Sequence, residues 1–421
     1  MLAKPDSALE SQASEATCRS CGQSGLVAIL DYGDMPPSDR FLQPGEQTNP
    51  APLALVFCRN CALLQLLTSP PANALFGPDY LYQSSCSESW LEHARKNAEE
   101  LIARLALSEG DRVIELASND GYLLQFFKQR GLAVLGVDPA PVPASIANDQ
   151  GIETLQQFFS QALGASLQAR GVQARLVIAN NVIAHVEDPH DFIRGVREIL
   201  APGGTWVIEF PHARALVEGC AFDTVYHEHR CYFSLHSLKA LLAIHGFEIT
   251  DIQQLSSHGG SLRVFATLEG EPSTAVLELL QQESLERVTS ADFFLDFAQS
   301  ALAKCDDIAG LINRLAAKGH RIAAYGAAAK GTILLNCIGQ ASDHIEFAID
   351  RNQNKHGRSI PGVNIPIRAC SDTALTNIDY LVLLPWNLER EVLQQQQEYQ
   401  QQGGHFIVPL PDVRVVKGNQ T

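Results

Sequence analysis

The stretch Val113-Ile-Glu-Leu-Ala-Ser-Asn-Asp-Gly-Tyr122 decides the fold of this 421-residue chain, because an apolar run gives way there to a turn and then to a helical pattern. The apolar half predicts a buried strand over 112–116, and small residues follow where the backbone must turn sharply. A helix is predicted over 122–129 and another strand over 133–137. Alternation of strand and helix predicts a parallel, doubly wound α/β sheet.

The alternation continues on both sides of this stretch. The further predicted elements are a helix over 88–107, strands over 176–179, 205–210 and 262–268, and a helix over 191–200. After a largely helical connector over 273–318, a second alternation follows, with strands over 322–325, 346–349, 380–384 and 405–408 and a helix over 332–338. The chain is too long for one hydrophobic core. This order predicts two α/β domains, residues 76–270 and 271–421, behind a small module formed by residues 1–75.

The overall charge narrows the classes of partner. The formal net charge of −16 argues against a nucleic-acid-binding surface, because phosphate contacts need clustered lysine and arginine side chains. A single anionic nucleotide remains compatible, since backbone amides and one or two cations can hold its phosphates. Residues 1–17 lack the features of a secretory signal, and no apolar run is long enough to span a bilayer. We therefore expect a cytoplasmic protein without nucleic-acid or membrane partners, either a monomer or a weak homodimer.

Four of the ten cysteines have the spacing of metal ligands. They are Cys18, Cys21, Cys58 and Cys61, which form two Cys-x-x-Cys turns. Two such turns complete a tetrahedron of sulfur ligands, and four thiolates leave no open position, so a structural zinc ion is predicted. Five prolines between residues 36 and 52 predict a loop-rich segment with little core of its own. Buried free cysteines and a redox-active pair are the alternatives.

Residues of the opening stretch and of two neighbouring strand ends form a candidate cofactor site. They are Glu115, Ala117, Asn119, Gly121, Asp138, Asn180 and Asn181. Small residues let the turn backbone approach a ligand closely, and a carboxylate at Asp138 can accept both ribose hydroxyl groups of an adenosine. The alternative, a dinucleotide-binding domain, normally carries Gly-x-Gly-x-x-Gly, which this turn lacks. The pattern therefore favours S-adenosylmethionine over NAD.

A cluster of ionisable side chains, Tyr226-His-Glu-His229, follows the strand predicted over 205–210. Loops near the ligand of an open α/β sheet lie beyond such strand ends. A histidine can take a proton near neutral pH, and a carboxylate beside it can orient the ring and stabilise its cation. The alternatives are a polar loop that covers the sheet and a second metal site formed by His227 and His229.

Taken together, these motifs resemble those of the sugar-nucleotide C-methyltransferases. The resemblance covers residues 18–412 and rests on the four cysteines, Tyr80-x-Tyr-x-Ser-Ser, Asn181-Val-x-Ala-His185, Tyr226-His-Glu-His229 and Gly326-x-x-x-Lys-Gly331. It implies an α/β fold in which a small four-cysteine zinc module precedes a doubly wound class I methyltransferase domain. A second, Rossmann-like α/β domain then follows.

The resemblance also implies a reaction, the methylation of ring carbon three of an NDP-4-keto-6-deoxysugar. A carbon beside a ketone is acidic, because its anion spreads onto the carbonyl oxygen. In this interpretation His229 is the base, Glu228 and Tyr226 orient or polarise the reacting groups, and His185 and Tyr80 stabilise the enolate oxygen. Whether Tyr226 rather than His229 is the base stays open.

The second strand-turn-helix pattern lies in Ile322-Ala-Ala-Tyr-Gly-Ala-Ala-Ala-Lys-Gly331. Lys330 is placed to meet a phosphate, and Asp350 and Arg351 end the next strand. The resemblance favours these residues, together with Tyr82, as ligands of the nucleotide sugar, although a degenerate domain that only completes the cleft is an alternative. For the whole chain, the alternatives are an O- or N-methyltransferase that acts on another small metabolite and a non-enzymatic zinc scaffold.

Overall fold

The computed structural model describes residues 2–77, 83–86, 88–255, 259–370 and 375–418, and their strands form three sheets. The helices are α1 (Ser7–Glu15), α2 (Ala72–Leu75), α3 (Glu88–Arg104), α4 (Leu124–Gln129), α5 (Pro141–Asp149), α6 (Gln161–Ala169), α7 (Pro189–Ile199), α8 (Ala213–Glu218), α9 (Leu235–Ile244), α10 (Thr274–Leu285), α11 (Ala291–Ala317), α12 (Ala329–Cys337), α13 (Glu389–Gln395) and α14 (Gln397–Gln401). The strands are β1 (Val27–Met35), β2 (Ala51–Phe57), β3 (Leu64–Leu66), β4 (Arg112–Leu116), β5 (Ala133–Val137), β6 (Thr154–Leu155), β7 (Ala174–Asn180), β8 (Leu200–Pro211), β9 (Cys231–Tyr232), β10 (Glu248–Leu255), β11 (Ser261–Thr267), β12 (Ile322–Tyr325), β13 (Ile345–Asp350), β14 (Ser359–Ile360), β15 (Ile365–Ala369), β16 (Tyr380–Leu383), β17 (His405–Val408) and β18 (Arg414–Val416).

The middle sheet has the order β10-β11-β8-β7-β4-β5-β6. Strand β4 lies at its centre and pairs in parallel with β5 and β7. The bounds predicted for β4 and β5 are confirmed, and the remaining predicted strands of this sheet are longer or start earlier than their apolar cores. Because the strands are parallel, their carboxyl ends meet at one edge, where loops from β4, β5, β7 and β8 come together.

The N-terminal module differs from its prediction, because the segment that looked loop-rich contains strands β1 and β2. These strands pair antiparallel, and the side chains of Leu53, Leu55 and Phe57 are fully buried. Strand β3 then pairs with β9, which comes from the middle of the chain. The proline-rich connection between β1 and β2 is irregular, as are the two Cys-x-x-Cys turns. The module therefore gains its core by joining a strand that is distant in sequence.

The C-terminal sheet has the order β14-β15-β13-β12-β16-β17-β18. Its inner strands β12, β13 and β16 run parallel, as the second alternation predicted. The connector is two helices, α10 and α11, and no helix of the described chain is both long and apolar enough to cross a membrane.

Helix α10 is fixed to the middle domain by a buried carboxylate. Glu283, which is fully buried, accepts hydrogen bonds from the backbone N–H of Leu235 (2.7 Å) and of His236 (3.0 Å) at the start of α9. The ring of His212 lies 2.6 Å from the same carboxylate. Free N–H groups at a helix start favour a negative charge, so this contact holds the connector against the sheet.

Candidate active site and zinc centre

The four predicted metal ligands come together at one end of the N-terminal sheet. The Sγ atoms of Cys18, Cys21, Cys58 and Cys61 all lie within 4.8 Å of one another. The Cys18–Cys61 and Cys21–Cys58 pairs are 3.5 and 3.6 Å apart. Zinc–sulfur bonds of about 2.3 Å in a tetrahedron separate the sulfurs by roughly 3.8 Å. The donor set therefore fits a closed structural zinc site.

A residue that the sequence analysis did not single out supports this site. Gln65, in β3, is buried, and its Nε2 donates to Cys18 Sγ at 3.2 Å while its Oε1 accepts from the Arg19 backbone N–H at 3.0 Å. Hydrogen bonds to a ligand orient it and tune a metal site. The sequence feature that could have pointed to Gln65 is its polar amide side chain inside the otherwise apolar run Leu63-Leu-Gln-Leu-Leu67.

The turn after β4 has the tight geometry that its small residues predicted. Ala117 and Asn119 have φ values of 53° and 49°, and Gly121 has a φ of 79°. A Cβ atom on Gly121 would lie 2.6 Å from the Ile152 side chain, so this position has no room for one. Left-handed φ values at residues other than glycine are uncommon and are often found at functional sites. The backbone is thus shaped around the space at the strand ends.

Asp138 holds this turn in place. Its Oδ2 accepts from the Asn119 backbone N–H and its Oδ1 from the Ala140 backbone N–H, both at 2.8 Å. Burial raises the pKa of the Asp138 carboxyl to about 6, against the opposing effect of these two N–H groups. Each carboxylate oxygen has a second lone pair, so the side chain can hold the turn and still accept ligand hydroxyl groups.

Several buried polar atoms around the turn lack hydrogen-bond partners among the described residues. They are both carboxylate oxygens of Glu115, the hydroxyl of Ser118, Oδ1 of Asp120, and the amide oxygens of Asn180 and Asn181. Native proteins rarely leave such atoms unpaired. Burial raises the pKa of Glu115 well above its usual value against the opposing effect of the nearby Tyr122 hydroxyl, and the charges of Asp138 and Asp120 add to the rise. The residues therefore fit a polar ligand such as S-adenosylmethionine, whose ribose and amino acid groups would satisfy them.

The serines of the Tyr80-x-Tyr-x-Ser-Ser motif lie against the same turn. The Ser84 backbone N–H donates to Asn119 Oδ1 at 2.9 Å, and the Ser85 hydroxyl donates to Asp120 Oδ2 at 2.6 Å. Tyr80 and Tyr82 themselves lie outside the described residues, and so their predicted roles stay predictions. The contacts of the two serines bring this motif to the candidate cofactor site.

Tyr226 and His229 form a pair beyond β8. The Tyr226 hydroxyl lies 3.1 Å from His229 Nε2, and their rings are 4.1 Å apart between centroids. His229 Nδ1 lies 3.1 Å from the carbonyl oxygen of Thr224. A carbonyl only accepts, so Nδ1 carries the proton of the neutral ring and Nε2 accepts from the Tyr226 hydroxyl. Tyr226 and His229 are thus a hydrogen-bonded pair rather than two separate side chains.

His185 joins this pair from the loop after β7. Its ring centroid is 4.7 Å from that of His229, and its Nδ1 lies 2.6 Å from the Glu228 carbonyl oxygen. Burial lowers the pKa of His185 to about 4, and the charge of Arg230 adds to the decrease, so the ring is neutral at pH 7. Its Nε2 is then an acceptor. The role of His185 in stabilising an enolate oxygen stays a prediction.

The Glu228 side chain points away from His229 toward the N-terminal module. Its Oε2 accepts from the Ser38 hydroxyl at 3.1 Å, and its Oε1 is 3.5 Å from the Asp39 backbone N–H. Burial raises the pKa of Glu228 to about 7, and the Asp39 charge contributes to this rise. The Ser38 carbonyl in turn accepts from Thr332 of α12 at 3.0 Å. Three parts of the chain therefore meet beside the tyrosine–histidine pair.

The alternative of a second metal site is not supported. His227 Nε2 faces the carbonyl oxygens of Ala51 and Pro52, at 3.1 and 3.3 Å, away from His229. Within the described ranges, the four cysteines are the one group of three or more potential ligands that could hold a metal ion.

The C-terminal candidates surround the turn after β12. Asp350 Oδ2 accepts from the Ala327 backbone N–H and Oδ1 from that of Asn352, both at 2.7 Å. Lys330 Nζ donates to Asn387 Oδ1 at 2.8 Å, and Arg351 is exposed. The three residues thus share one region of the C-terminal sheet, while Lys330 and Asp350 already have protein partners.

Comparison with known protein families covers most of the chain. Residues 18–76 match a family of zinc-binding domains, residues 90–252 match a methyltransferase domain, and residues 256–411 match a family described as the C-methyltransferase C-terminal domain. C-methyltransferase NovU of Streptomyces niveus is 35% identical over 410 residues, which are 96% of this chain and 97% of NovU.

Two further similarities are confined to part of the chain. The ubiquinone biosynthesis O-methyltransferase of Cereibacter sphaeroides is 29% identical over 100 residues, 24% of this chain and 40% of that enzyme. The solved structure of the glycopeptide N-methyltransferase MtfA with S-adenosylmethionine is 16% identical, covers 42% of this chain and 94% of its own, and has a TM-score of 0.34.

The likeness to NovU extends over all three domains, from the zinc-binding cysteines to the C-terminal sheet. It agrees with a cofactor turn that fits S-adenosylmethionine and with a four-thiolate zinc site. The chain belongs to the family of S-adenosylmethionine-dependent, zinc-containing C-methyltransferases that includes NovU.

Proposed function

We propose that this protein methylates ring carbon three of an NDP-4-keto-6-deoxysugar in the cytoplasm. The observation that carries the proposal is the tyrosine–histidine pair, Tyr226 and His229, 3.1 Å apart beyond the strand ends of the cofactor domain. Methylation of oxygen or nitrogen needs no carbon acid to be deprotonated. A carbon nucleophile beside a ketone does need a base, and this pair supplies one.

The base works as a unit in this proposal. The Tyr226 hydroxyl takes the proton from carbon three as its own proton passes to His229 Nε2, and the electron pair moves onto the ketone oxygen at carbon four. His229 is then a cation with Nδ1–H donating to the Thr224 carbonyl. In this assignment the Tyr226 hydroxyl meets the substrate, and His229 holds the proton at the end of the step. Proton removal by Tyr226 is the alternative that the sequence analysis left open.

The methyl donor contributes one chemical property. S-adenosylmethionine, when bound, presents an electrophilic methyl group on a positively charged sulfur. Held there, it would supply this methyl group to the carbanion, with S-adenosylhomocysteine as the leaving group. The donor would be held by buried oxygens that lack a protein partner or can accept a second hydrogen bond. These oxygens belong to Glu115, Asp138, Asn180 and Asn181.

The remaining site residues position the substrate. His185, neutral with Nε2 as an acceptor, takes a hydrogen bond from a sugar hydroxyl. The enolate oxygen is left to Tyr80, and Glu228 holds the N-terminal loop at the site through Ser38. This loop is the β1–β2 connection, and the four zinc-ligand cysteines lie beyond the opposite ends of the same two strands.

We assign the nucleotide end of the substrate to the C-terminal domain. Arg351, which is exposed, and Lys330 offer positive charge in a chain of strongly negative net charge. Tyr82, which precedes α3 in the sequence, is proposed to contact the substrate. Asp350 acts by holding the turn, because both of its oxygens accept backbone N–H groups.

The direct test is product analysis with methyl-¹³C-labelled S-adenosylmethionine. We expect a 4-keto-6-deoxysugar nucleotide to gain one labelled carbon attached to ring carbon three, and its 4-hydroxy counterpart to gain none. Methylation of an oxygen or nitrogen, or equal turnover of the 4-hydroxy sugar, would refute the proposal.

A second test isolates the base. In D₂O without the methyl donor, the wild-type protein should exchange the substrate proton at carbon three. His229→Ala should slow exchange by about 10²–10⁴-fold, the usual contribution of a positioned base. His190→Ala is the control, because this histidine lies at the start of α7 and its ring contacts His245 at 2.8 Å rather than the Tyr226–His229 pair. Equal exchange in His229→Ala and wild type would remove His229 from the reaction.

A further inference from the structure

The turn that holds His229 is itself held by the other two domains. Residues Phe222–Thr224 form a short 3₁₀ turn before the tyrosine–histidine pair. The Phe222 carbonyl accepts from the Tyr32 hydroxyl of the N-terminal sheet at 2.8 Å. The Asp223 carboxylate accepts from the indole N–H of Trp386 in the C-terminal domain at 2.7 Å. Thr224 then presents the carbonyl that faces His229 Nδ1.

The contact between Asp223 and Trp386 is closely packed. Asp223 is fully buried and Trp386 nearly so. The indole ring lies beside Gly259, where a Cβ atom would be 3.6 Å from the Trp386 ring, and the Lys330 ammonium lies 4.8 Å from the ring centre on its own domain. Gly259 of the middle domain therefore lies within contact range of the C-terminal indole.

The charge of Asp223 is poorly solvated. Its second oxygen, Oδ1, is buried without a partner among the described residues. Burial raises the pKa of Asp223 to about 6, while the positive charge of Lys330 and the Trp386 N–H oppose the rise. Among the described residues the indole is the side-chain donor to this carboxylate, so its loss would leave a buried acceptor with little compensation.

Resting on the proposed function, we propose that Asp223 and Trp386 are positioning residues that fix the tautomer of His229. Their hydrogen bond keeps the Thr224 carbonyl in reach of His229 Nδ1. When Nδ1 carries the ring proton, Nε2 is unprotonated and can accept the proton of Tyr226. Without that carbonyl, the neutral ring can carry its proton on Nε2, and such a ring cannot accept from tyrosine.

The proposal also connects the nucleotide end of the site with the base. Asn387, next to Trp386 in the chain, accepts the hydrogen bond of Lys330. A substrate phosphate that drew Lys330 toward itself would act on the same turn that carries the indole. The C-terminal domain is then part of the catalytic geometry, although it supplies no group that reacts.

The test reads the tautomer directly. In protein with ¹⁵N-labelled histidine, two-bond proton–nitrogen correlations distinguish Nδ1–H from Nε2–H, and the His229 signals are assigned by their loss in His229→Ala. We expect Nδ1–H in the wild type and a mixture in Trp386→Phe and Asp223→Ala. Carbon-three exchange should fall by about 10- to 100-fold in both, since small misplacements of a reacting group have effects of this size.

Two controls separate this role from simple loss of packing. Asp223→Asn keeps an oxygen that can accept from the indole, so it should retain the Nδ1–H tautomer and most of the exchange. Trp206→Phe removes a fully buried indole whose N–H has no partner within the described chain, and it should leave the tautomer unchanged. Because Asp223 and Trp386 act through one contact, the double variant should be no slower than the slower single variant.

An unchanged His229 tautomer in folded Trp386→Phe and Asp223→Ala would overturn the proposal, as would equal loss of the Nδ1–H tautomer in Asp223→Asn and Asp223→Ala. These outcomes do not depend on the substrate assignment. If the wild type exchanges no proton of a keto sugar, the proposed function fails while the tautomer measurement still decides this inference.

Discussion

The chain contains two strand-turn-helix units, and the same carboxylate contact holds both turns. After β4, Asp138 accepts from the Asn119 and Ala140 backbone N–H groups. After β12, Asp350 accepts from the Ala327 and Asn352 backbone N–H groups. In each case the aspartate lies at the end of the neighbouring strand. It accepts one hydrogen bond from a backbone N–H of the turn and one from the backbone N–H two residues after itself. The two backbones are therefore built by one local rule.

What surrounds the two turns differs. Around the first turn, buried oxygens of Glu115, Asn180 and Asn181 have no hydrogen-bond partner among the described residues. Among the described residues after 232, which include the second turn, no buried side-chain oxygen or nitrogen is left unpaired. The second turn is filled by the protein, since a Cβ atom on Gly326 would meet Pro385 at 2.6 Å. The first turn therefore leaves buried polar atoms for a ligand, and the second is covered by the loop that carries Trp386.

The comparison shows that a strand-turn-helix pattern does not by itself assign a ligand. A small residue allows close approach of whatever lies opposite. At Gly121 the neighbour is a side chain beneath a cofactor site, and at Gly326 it is a proline of the same domain. The unpaired polar atoms around the turn carry the functional information.

The largest expected difference between the two turns is in cofactor affinity. Asp138→Ala should weaken S-adenosylmethionine binding by about 100-fold, because hydrogen bonds to a charged group contribute roughly 1.5–3 kcal/mol and each 1.4 kcal/mol is tenfold. Asp350→Ala should leave the dissociation constant within about twofold. Isothermal titration calorimetry measures both.

Each of these variants controls for the other. Both remove one carboxylate that accepts two backbone N–H groups, so both should lower the thermal midpoint by similar amounts. Equal loss of cofactor affinity in the two variants would mean that the second turn also contributes to the cofactor site, and the contrast drawn above would fail.

Local features of the sequence predicted much of this arrangement. The strands β4 and β5 and the four zinc ligands leave local signals, namely an apolar run of fixed length and paired Cys-x-x-Cys turns. The resemblance of the motifs brought in the histidine cluster, which the fold does gather beside the strand ends.

The rest depends on contacts between residues distant in sequence. The pairing of β3 with β9 joins residue 64 to residue 232, and the hydrogen bond between Asp223 and Trp386 spans 163 positions. Neither contact leaves a periodic pattern, because each partner looks locally like an ordinary strand or loop residue. The N-terminal module therefore looked poorer in strands than it is, and the turn that positions His229 was not recognised.

A smaller effect is expected from pH. Burial raises the pKa of Asp138 to about 6, with the Asp120 charge adding to the rise. The carboxyl is therefore protonated below pH 6 and then accepts poorly from ribose hydroxyl groups. S-adenosylmethionine affinity should fall by about tenfold between pH 7 and pH 5, because at one pH unit below the pKa about a tenth of the groups are ionised.

The control for this pH dependence is Asp138→Asn, which cannot ionise. Its weaker affinity should be nearly constant over the same range when measured by calorimetry in matched buffers. A wild-type affinity that does not change between pH 7 and pH 5 would show that the Asp138 charge is not used for binding. The contrast between the turns would then rest on the unpaired oxygens alone.

The smallest effect is expected at the second turn. Lys330 already has Asn387 and the Trp386 ring as partners, so its substitution removes charge from a place that the protein has largely filled. Lys330→Ala should raise the KM for the sugar nucleotide by about threefold to tenfold and leave S-adenosylmethionine affinity unchanged, as expected for one partly shared charge contact. Lys128→Ala is the matched control, because this lysine follows the first turn and donates to the Gly151 carbonyl at the surface.

A rise of more than about a hundredfold in KM for Lys330→Ala alone would mean that the second turn is a ligand site as demanding as the first, since a loss of that size is typical of a desolvated charged contact rather than a shared one. The two turns would then differ in which ligand they bind, and the protein-filled character of the second turn would be a property of the substrate-free protein only.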